Sequence, residues 1–209
     1  LAGGSSNAAA ALELAAACWG LGLSAEMRLE LASILGSDVP FFMTGAPAAL
    51  VEGRGERVTP LPPLTGRPGL LLVAPPLAVS TARAFARFDE LPARDRPTVT
   101  DELVAAWRAD LDAPALVGWA ERLRASNDLW PAAVLLAPGL EALRAALEAG
   151  TDRPWLMSGS GSSLFTLYAS PDEAAEAGQR LTREMSAELT GARLYATDLH
   201  GPDPVWRQP

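Results

Sequence analysis

Residues Gly3-Gly4-Ser5-Ser6-Asn7 run directly into an alanine-rich stretch. This pairing of a glycine-serine loop with a helix start constrains the fold more than any other feature. Glycine lets the backbone come close to an anion, and the unpaired amides of a helix start then point at it. Leu1 to Asn7 therefore read either as a phosphate-binding loop or as an ordinary capped helix start. Such a loop needs a strand before it to aim it, and nothing precedes Leu1, so the expectation is that a natural upstream segment is missing.

The remaining punctuation predicts a mixed order of elements. Ser6 or Asn7 caps a helix through Leu14 and Cys18 that stops near Gly20, and Ser24 caps a second, with Met27, Leu31 and Ile34 on one face, ending at Gly36. Pro40 limits Val39 and marks a tight turn or short helix start. Ala48 to Val51 and Glu56 to Thr59 flank Gly53-Arg54-Gly55 as a β-hairpin. The proline-rich stretch 60–68 is the expected domain boundary, with domains 1–62 and 63–209.

Beyond it, Leu70 to Ala74 reads as a buried strand. Helices are predicted at 80–88, 101–111, 115–124, 127–137, 140–149 and 172–189. Strands at 155–157 and 164–169 flank Ser158-Gly159-Ser160-Gly161-Ser162-Ser163, and a last strand spans 193–197, followed by a loose tail from Gly201. Hairpin strands with intervening helices favour an α+β fold over a regular βαβ alternation.

Composition narrows the chemistry. The net charge of −8 argues against a nucleic-acid partner, since phosphate backbones require a basic face. No apolar run is long enough to span a bilayer and no signal peptide opens the chain. The single Cys18 points to a reducing cytoplasm and, among Ala15, Ala16, Ala17 and Trp19, to a packed thiol. All 17 basic residues are Arg, and a Walker-type phosphate loop, which needs its Lys, is excluded for this chain.

The second loop, 158–163, lacks the third glycine of a dinucleotide fingerprint, and Met157 stands where a nucleophile elbow requires glycine. Asp38 reads either as a helix cap or turn residue or as a general base beside apolar Val39, Phe41 and Phe42. His200 has no partner at hydrolase spacing, and no cluster has metal-ligand spacing.

Three stretches occur in order: Leu1-Ala2-Gly3-Gly4-Ser5-Ser6-Asn7-Ala8-Ala9, Gly36-Ser37-Asp38-Val39-Pro40-Phe41-Phe42 and Met157-Ser158-Gly159-Ser160-Gly161-Ser162-Ser163-Leu164-Phe165. Val51-Glu52-Gly53-Arg54-Gly55-Glu56 and Ser126-Asn127-Asp128-Leu129 accompany them. Together they closely resemble the GHMP small-molecule kinases over essentially the whole chain. The resemblance implies part of an ATP-binding domain followed by an α/β-sandwich substrate domain.

It also implies transfer of the ATP γ-phosphoryl group, with Mg²⁺, to a hydroxyl of 4-diphosphocytidyl-2-C-methyl-D-erythritol in the non-mevalonate isoprenoid pathway. On this resemblance Asp38 accepts the hydroxyl proton. Leu1, Ala2, Gly3, Gly4, Ser5, Ser6 and Asn7 wrap the ATP phosphates, Gly159, Ser160, Gly161 and Ser162 border the transfer site, and Phe85 stacks on cytosine. The family carries a catalytic lysine on an upstream strand. This chain contains no Lys, so the expectation is a form that is inactive as it stands. Another GHMP kinase, or a ligand-binding remnant without turnover, are the alternatives.

Overall fold

The computed structural model describes residues 2–92 and 99–199. Leu1, His200 and the tail from Gly201 lie outside the described residues. The chain divides between Pro63 and Leu64 into two compact units.

In the first unit, α1 (Gly3–Cys18), α2 (Ala25–Leu35) and α3 (Val39–Thr44) are followed by a hairpin of β1 (Ala48–Glu52) and β2 (Arg57–Leu61). The hairpin runs in antiparallel register from Ala48 opposite Leu61 to Glu52 opposite Arg57. Ser24 caps α2 by accepting the Met27 amide at 3.2 Å, which satisfies one orphan donor of the helix start. The core here is small. Ala9, Ala32 and Val39 are buried, with Ala8, Leu12, Phe42 and Met43 packed around them.

Two expectations are corrected in this unit. The glycine-serine run is no loop: Gly3 to Asn7 already lie in α1, whose N-cap is Ala2 in the left-handed conformation (φ 46°). Ser6 is one turn inside the helix and donates its hydroxyl to the Gly3 carbonyl at 3.0 Å. Cys18 is exposed, not packed. The small core is filled by alanines and Val39 on the inner faces, and apart from Leu12 most of the larger apolar side chains of α1 and α2 are exposed. Trp19 is 74% and Ile34 76% exposed, with Leu14, Met27, Leu31 and Leu35 also exposed.

The second unit is built on an antiparallel sheet of β3 (Gly69–Ala74), β4 (Leu156–Met157), β5 (Leu164–Tyr168) and β6 (Arg193–Asp198), in the order β4-β5-β3-β6. Helices α4 (Thr81–Asp89), α5 (Thr100–Arg108), α6 (Ala113–Gly118), α7 (Ala120–Ala125), α8 (Trp130–Leu136), α9 (Gly139–Thr151) and α10 (Pro171–Glu184) surround it. Alternate strand residues point to opposite faces. Leu71, Val73 and Leu164 pack with Ala133, Leu140, Leu147, Trp155 and Leu181 of one layer. Leu156 and Leu167 pack with Leu111, Leu116 and Ala120 of the other.

The buried Trp155 is fully satisfied: its indole N–H donates to Thr151 Oγ1 at 3.0 Å, and that hydroxyl donates to the Leu147 carbonyl at 2.7 Å. Ser80, Asp112 and Ser170 each accept the backbone amide three residues on and so cap α4, α6 and α10. The stretch 115–124 forms two short helices instead of one, joined at Trp119, and the helix expected from Asn127 starts only at Trp130. The fold is α+β. Among the described residues, no helix is long and apolar enough to cross a membrane.

Candidate active site

The sequence-predicted residues fall into two sets, one in each unit. In the first unit, Asp38 occupies the N-cap position of α3 with φ −92° and ψ −10°, followed by Val39 and Pro40 in the first turn. Proline suits that turn because its missing N–H would have had no helical partner. The Asp38 carboxylate caps no amide of the helix. It is exposed, while Val39 and Pro40 beside it are buried. A side chain of this kind at this position normally accepts the amide of the second or third helical residue. Here backbone geometry makes the helix start and leaves the carboxylate unused by it.

Val39 shares its apolar cluster with Ala8 and Ala9, which follow Asn7 on α1. Asp38 and the start of α1 thus flank the same small core. The first amides of an α-helix have no intrahelical acceptor, and a Cβ built on Gly3 or Gly4 would meet nothing within 4 Å. Among the described residues, nothing packs against these two glycines. Leu1 lies outside the described residues.

The hairpin turn is the third part. A Cβ on Gly55 would lie 1.9 Å from the Ser37 carbonyl oxygen, and φ there is +110°. The turn therefore presses on the residue preceding Asp38, and only glycine permits the approach. Glu56 accepts the Arg54 amide at 2.6 Å. Its own amide and that of Arg54 hold its carboxyl below the ordinary value. A cavity of about 290 Å³ opens here, lined by Ser33, Ser37, Arg54, Gly55 and Glu56.

In the second unit the loop 158–163 joins β4 to β5 as a hairpin. The Ser158 amide donates to the Ser163 carbonyl at 3.0 Å, and the Gly161 amide to the Ser158 carbonyl at 3.0 Å. Gly161 has φ +90°, and a Cβ there would lie 2.9 Å from Met157 Sδ. Ser160 Oγ and Thr81 Oγ1 are 2.9 Å apart, which ties the loop to the first turn of α4. Phe85 is one turn along the same face of that helix and is 53% exposed. The structure thus brings the second loop and the predicted stacking residue onto neighbouring elements.

Asn127 carried no predicted role. It donates from Nδ2 to the Met157 carbonyl at 2.9 Å and to the Gly159 carbonyl at 3.0 Å, while its Oδ1 accepts the Leu129 amide at 3.0 Å. The only sequence signal was its place in Ser126-Asn127-Asp128-Leu129. Spacing could not reveal a contact across 30 residues of chain.

Known proteins resemble this chain closely. The model described as the C-terminal domain of GHMP kinases matches residues 107–187. The 4-diphosphocytidyl-2-C-methyl-D-erythritol kinase of Thermobifida fusca (strain YX) is 40% identical, over 98% of this chain and 62% of that protein. The protein of the same name from Synechococcus sp. (strain CC9902) is 37% identical, over 95% and 65%.

A crystal structure of a 4-(cytidine 5'-diphospho)-2C-methyl-D-erythritol kinase matches with a TM-score of 0.65 at 30% identity, over 95% of this chain and 65% of that one. A homoserine kinase from Cytophaga hutchinsonii shares the fold, with a TM-score of 0.58 at 20% identity, over 89% of this chain and 62% of that one. The chain spans a little under two thirds of the length of these relatives. Residues 107–187 thus match the C-terminal part of GHMP kinases, and nearly the whole chain is similar to part of the kinases named above.

Proposed function

We propose that this chain carries part of the machinery that transfers the γ-phosphoryl group of ATP to a hydroxyl of 4-diphosphocytidyl-2-C-methyl-D-erythritol, in the cytoplasm. The shared name of its relatives supports the substrate. The chemistry is carried by one observation: Asp38 stands at a helix start with its carboxylate unused by that helix.

Phosphoryl transfer through a loose transition state asks the protein mainly to position groups and to stabilise charge. The open amides of α1 at Gly3, Gly4 and Ser5 supply donors for phosphate oxygens, with Ala2, Ser6 and Asn7 completing that contact. No packing in the unit requires the two glycines of this first turn. Ligand approach supplies a reason for them. The substrate oxygen attacks the γ-phosphorus, the bond to the β-phosphate oxygen breaks, and Asp38 takes the hydroxyl proton.

In the second unit, Gly159, Ser160, Gly161 and Ser162 are assigned to phosphate contact and Phe85 to stacking on the cytosine ring. Among the described residues no three His, Cys, Asp or Glu side chains converge. A Mg²⁺ ion would come in on the phosphates of ATP and would need only one or two protein carboxylates.

The test is a phosphoryl-transfer assay with this chain, MgATP and the diphosphocytidyl substrate, set beside Asp38→Asn. Where the parent turns over, the expected result in Asp38→Asn is a loss on the order of 10²- to 10⁴-fold with ATP binding retained. Parental rates in the variant would remove Asp38 from the role. Transfer to homoserine without cytidine dependence would point to another GHMP kinase. ATP binding without turnover in the parent would leave a ligand-binding role.

A further inference from the structure

The side chain of Asn127 uses every kind of hydrogen-bonding capacity it has on one task. Its Oδ1 accepts the Leu129 amide, which fixes the orientation of the carboxamide, and both amide hydrogens then face the loop carbonyls of Met157 and Gly159. No other residue type does this at the same length. Aspartate would set a carboxylate against two carbonyl oxygens, serine has one donor, and glutamine is one methylene longer.

The two anchored peptide planes differ in what they release. The plane of Met157 and Ser158 is held at both ends, because the Ser158 amide is taken by the Ser163 carbonyl. The plane of Gly159 and Ser160 is held at its carbonyl. In a planar trans peptide the N–H points opposite to the C=O. Anchoring Gly159 O against Asn127 therefore aims the Ser160 N–H away from Asn127. Ser160 is pinned a second time, through its hydroxyl, by Thr81.

We infer that Asn127 is a positioning residue that sets the Ser160 amide as a donor for a phosphate oxygen, without touching the ligand itself. This inference rests on the phosphate-contact reading of the loop given above.

The test compares Asn127→Asp and Asn127→Gln with the parent chain in two measurements. Amide hydrogen exchange is followed at Ser158 and Gly161, with the amides of β3 and β5 as internal reference. Phosphoryl transfer from MgATP is assayed alongside. In Asn127→Asp, loop exchange should rise about tenfold or more while β3 and β5 amides and the Tm hold, as expected when two loop carbonyls lose their donors and the loop opens locally. kcat should fall about 10- to 100-fold with KM for ATP shifted less than about threefold, the signature of misplaced rather than missing binding groups. Asn127→Gln, which keeps both donors, should recover part of each effect.

Unchanged exchange at Ser158 and Gly161 overturns the inference, and so does a rise spread equally over β3 and β5, which marks a general structural role. If Asn127→Asp does not fold, the exchange pattern of Asn127→Gln decides in the same way. In a parent without turnover the exchange pattern alone decides the role of Asn127.

Discussion

Gly55 and Asp38 show how a single atom can govern a site from outside it. Gly55 brings no functional group, yet its α-carbon lies so near the Ser37 carbonyl that a methyl group would lie 1.9 Å from that oxygen. Gly55→Ala meets this clash and a left-handed φ of +110° together. It should destabilise the first unit by roughly 2–4 kcal/mol, read as a lowered urea midpoint, and should move the Ser37-Asp38 backbone. Gly53, whose turn contact is with the flexible Glu56 carboxylate rather than backbone, should tolerate alanine better. Parental stability in Gly55→Ala would show that the turn can relax off Ser37. Sequence marked Asp38 as either a cap or a base. It could not choose, because the answer depends on whether the carboxylate is consumed by the helix amides.

Among the elements, the pairing of Arg124 on α7 with Glu148 on α9 reaches furthest. Arg124 Nε donates to Glu148 Oε1 at 2.5 Å, and the Trp155 amide donates to the same oxygen at 3.2 Å, so two helices and the approach to β4 meet at one carboxylate. Burial alone would raise the Glu148 pKa. The hydrogen bonds from Arg124 and Trp155 outweigh it, and the carboxyl sits below its ordinary value. A group with a lowered folded pKa stabilises the protein fully above its unfolded value, and that stability is lost as pH falls through the folded value. Glu148→Gln should therefore lower stability at pH 7 by roughly 1–2 kcal/mol and converge on the parent in acid. Melting curves at pH 7 and pH 3 would check this, and an equal gap at both would refute it. Element types were largely legible, because caps such as Ser24 and Ser80 and the turn glycines act locally. The start of α1 was not, since Gly3 to Asn7 carry residues that locally favour loops. Nor was the break at Trp119, where the apolar pattern continues across two helices.

At the scale of the molecule, the two units differ in how well they are packed. The second encloses Trp155, Leu71, Leu140, Leu147, Leu164 and Leu181 almost completely. The first buries little more than Ala9, Ala32 and Val39, while Leu14, Trp19, Met27, Ile34 and Leu35 face solvent. The sequence places Met27, Leu31 and Ile34 on one face of α2, and the structure leaves all three exposed. The sequence could not show that Ala32, not that stripe, faces the core, because periodicity reports a face without saying what meets it. Burial of apolar area yields about 25 cal/mol per Å², so a unit whose largest apolar groups stay exposed gains little from folding. Local openings should start there. Limited chymotrypsin digestion followed by mass spectrometry should cut first near Leu14, Trp19 and Met27 and leave a resistant fragment beginning close to Leu64. Ile34→Glu with Leu14→Glu should weaken binding of an apolar dye and any self-association, with helicity unchanged, because neither side chain contributes to the core. Early cuts within β3 or β5 would reverse the ranking of the two units. Unchanged dye binding in the double variant would mean that the face on α1 and α2 is not what the solvent meets.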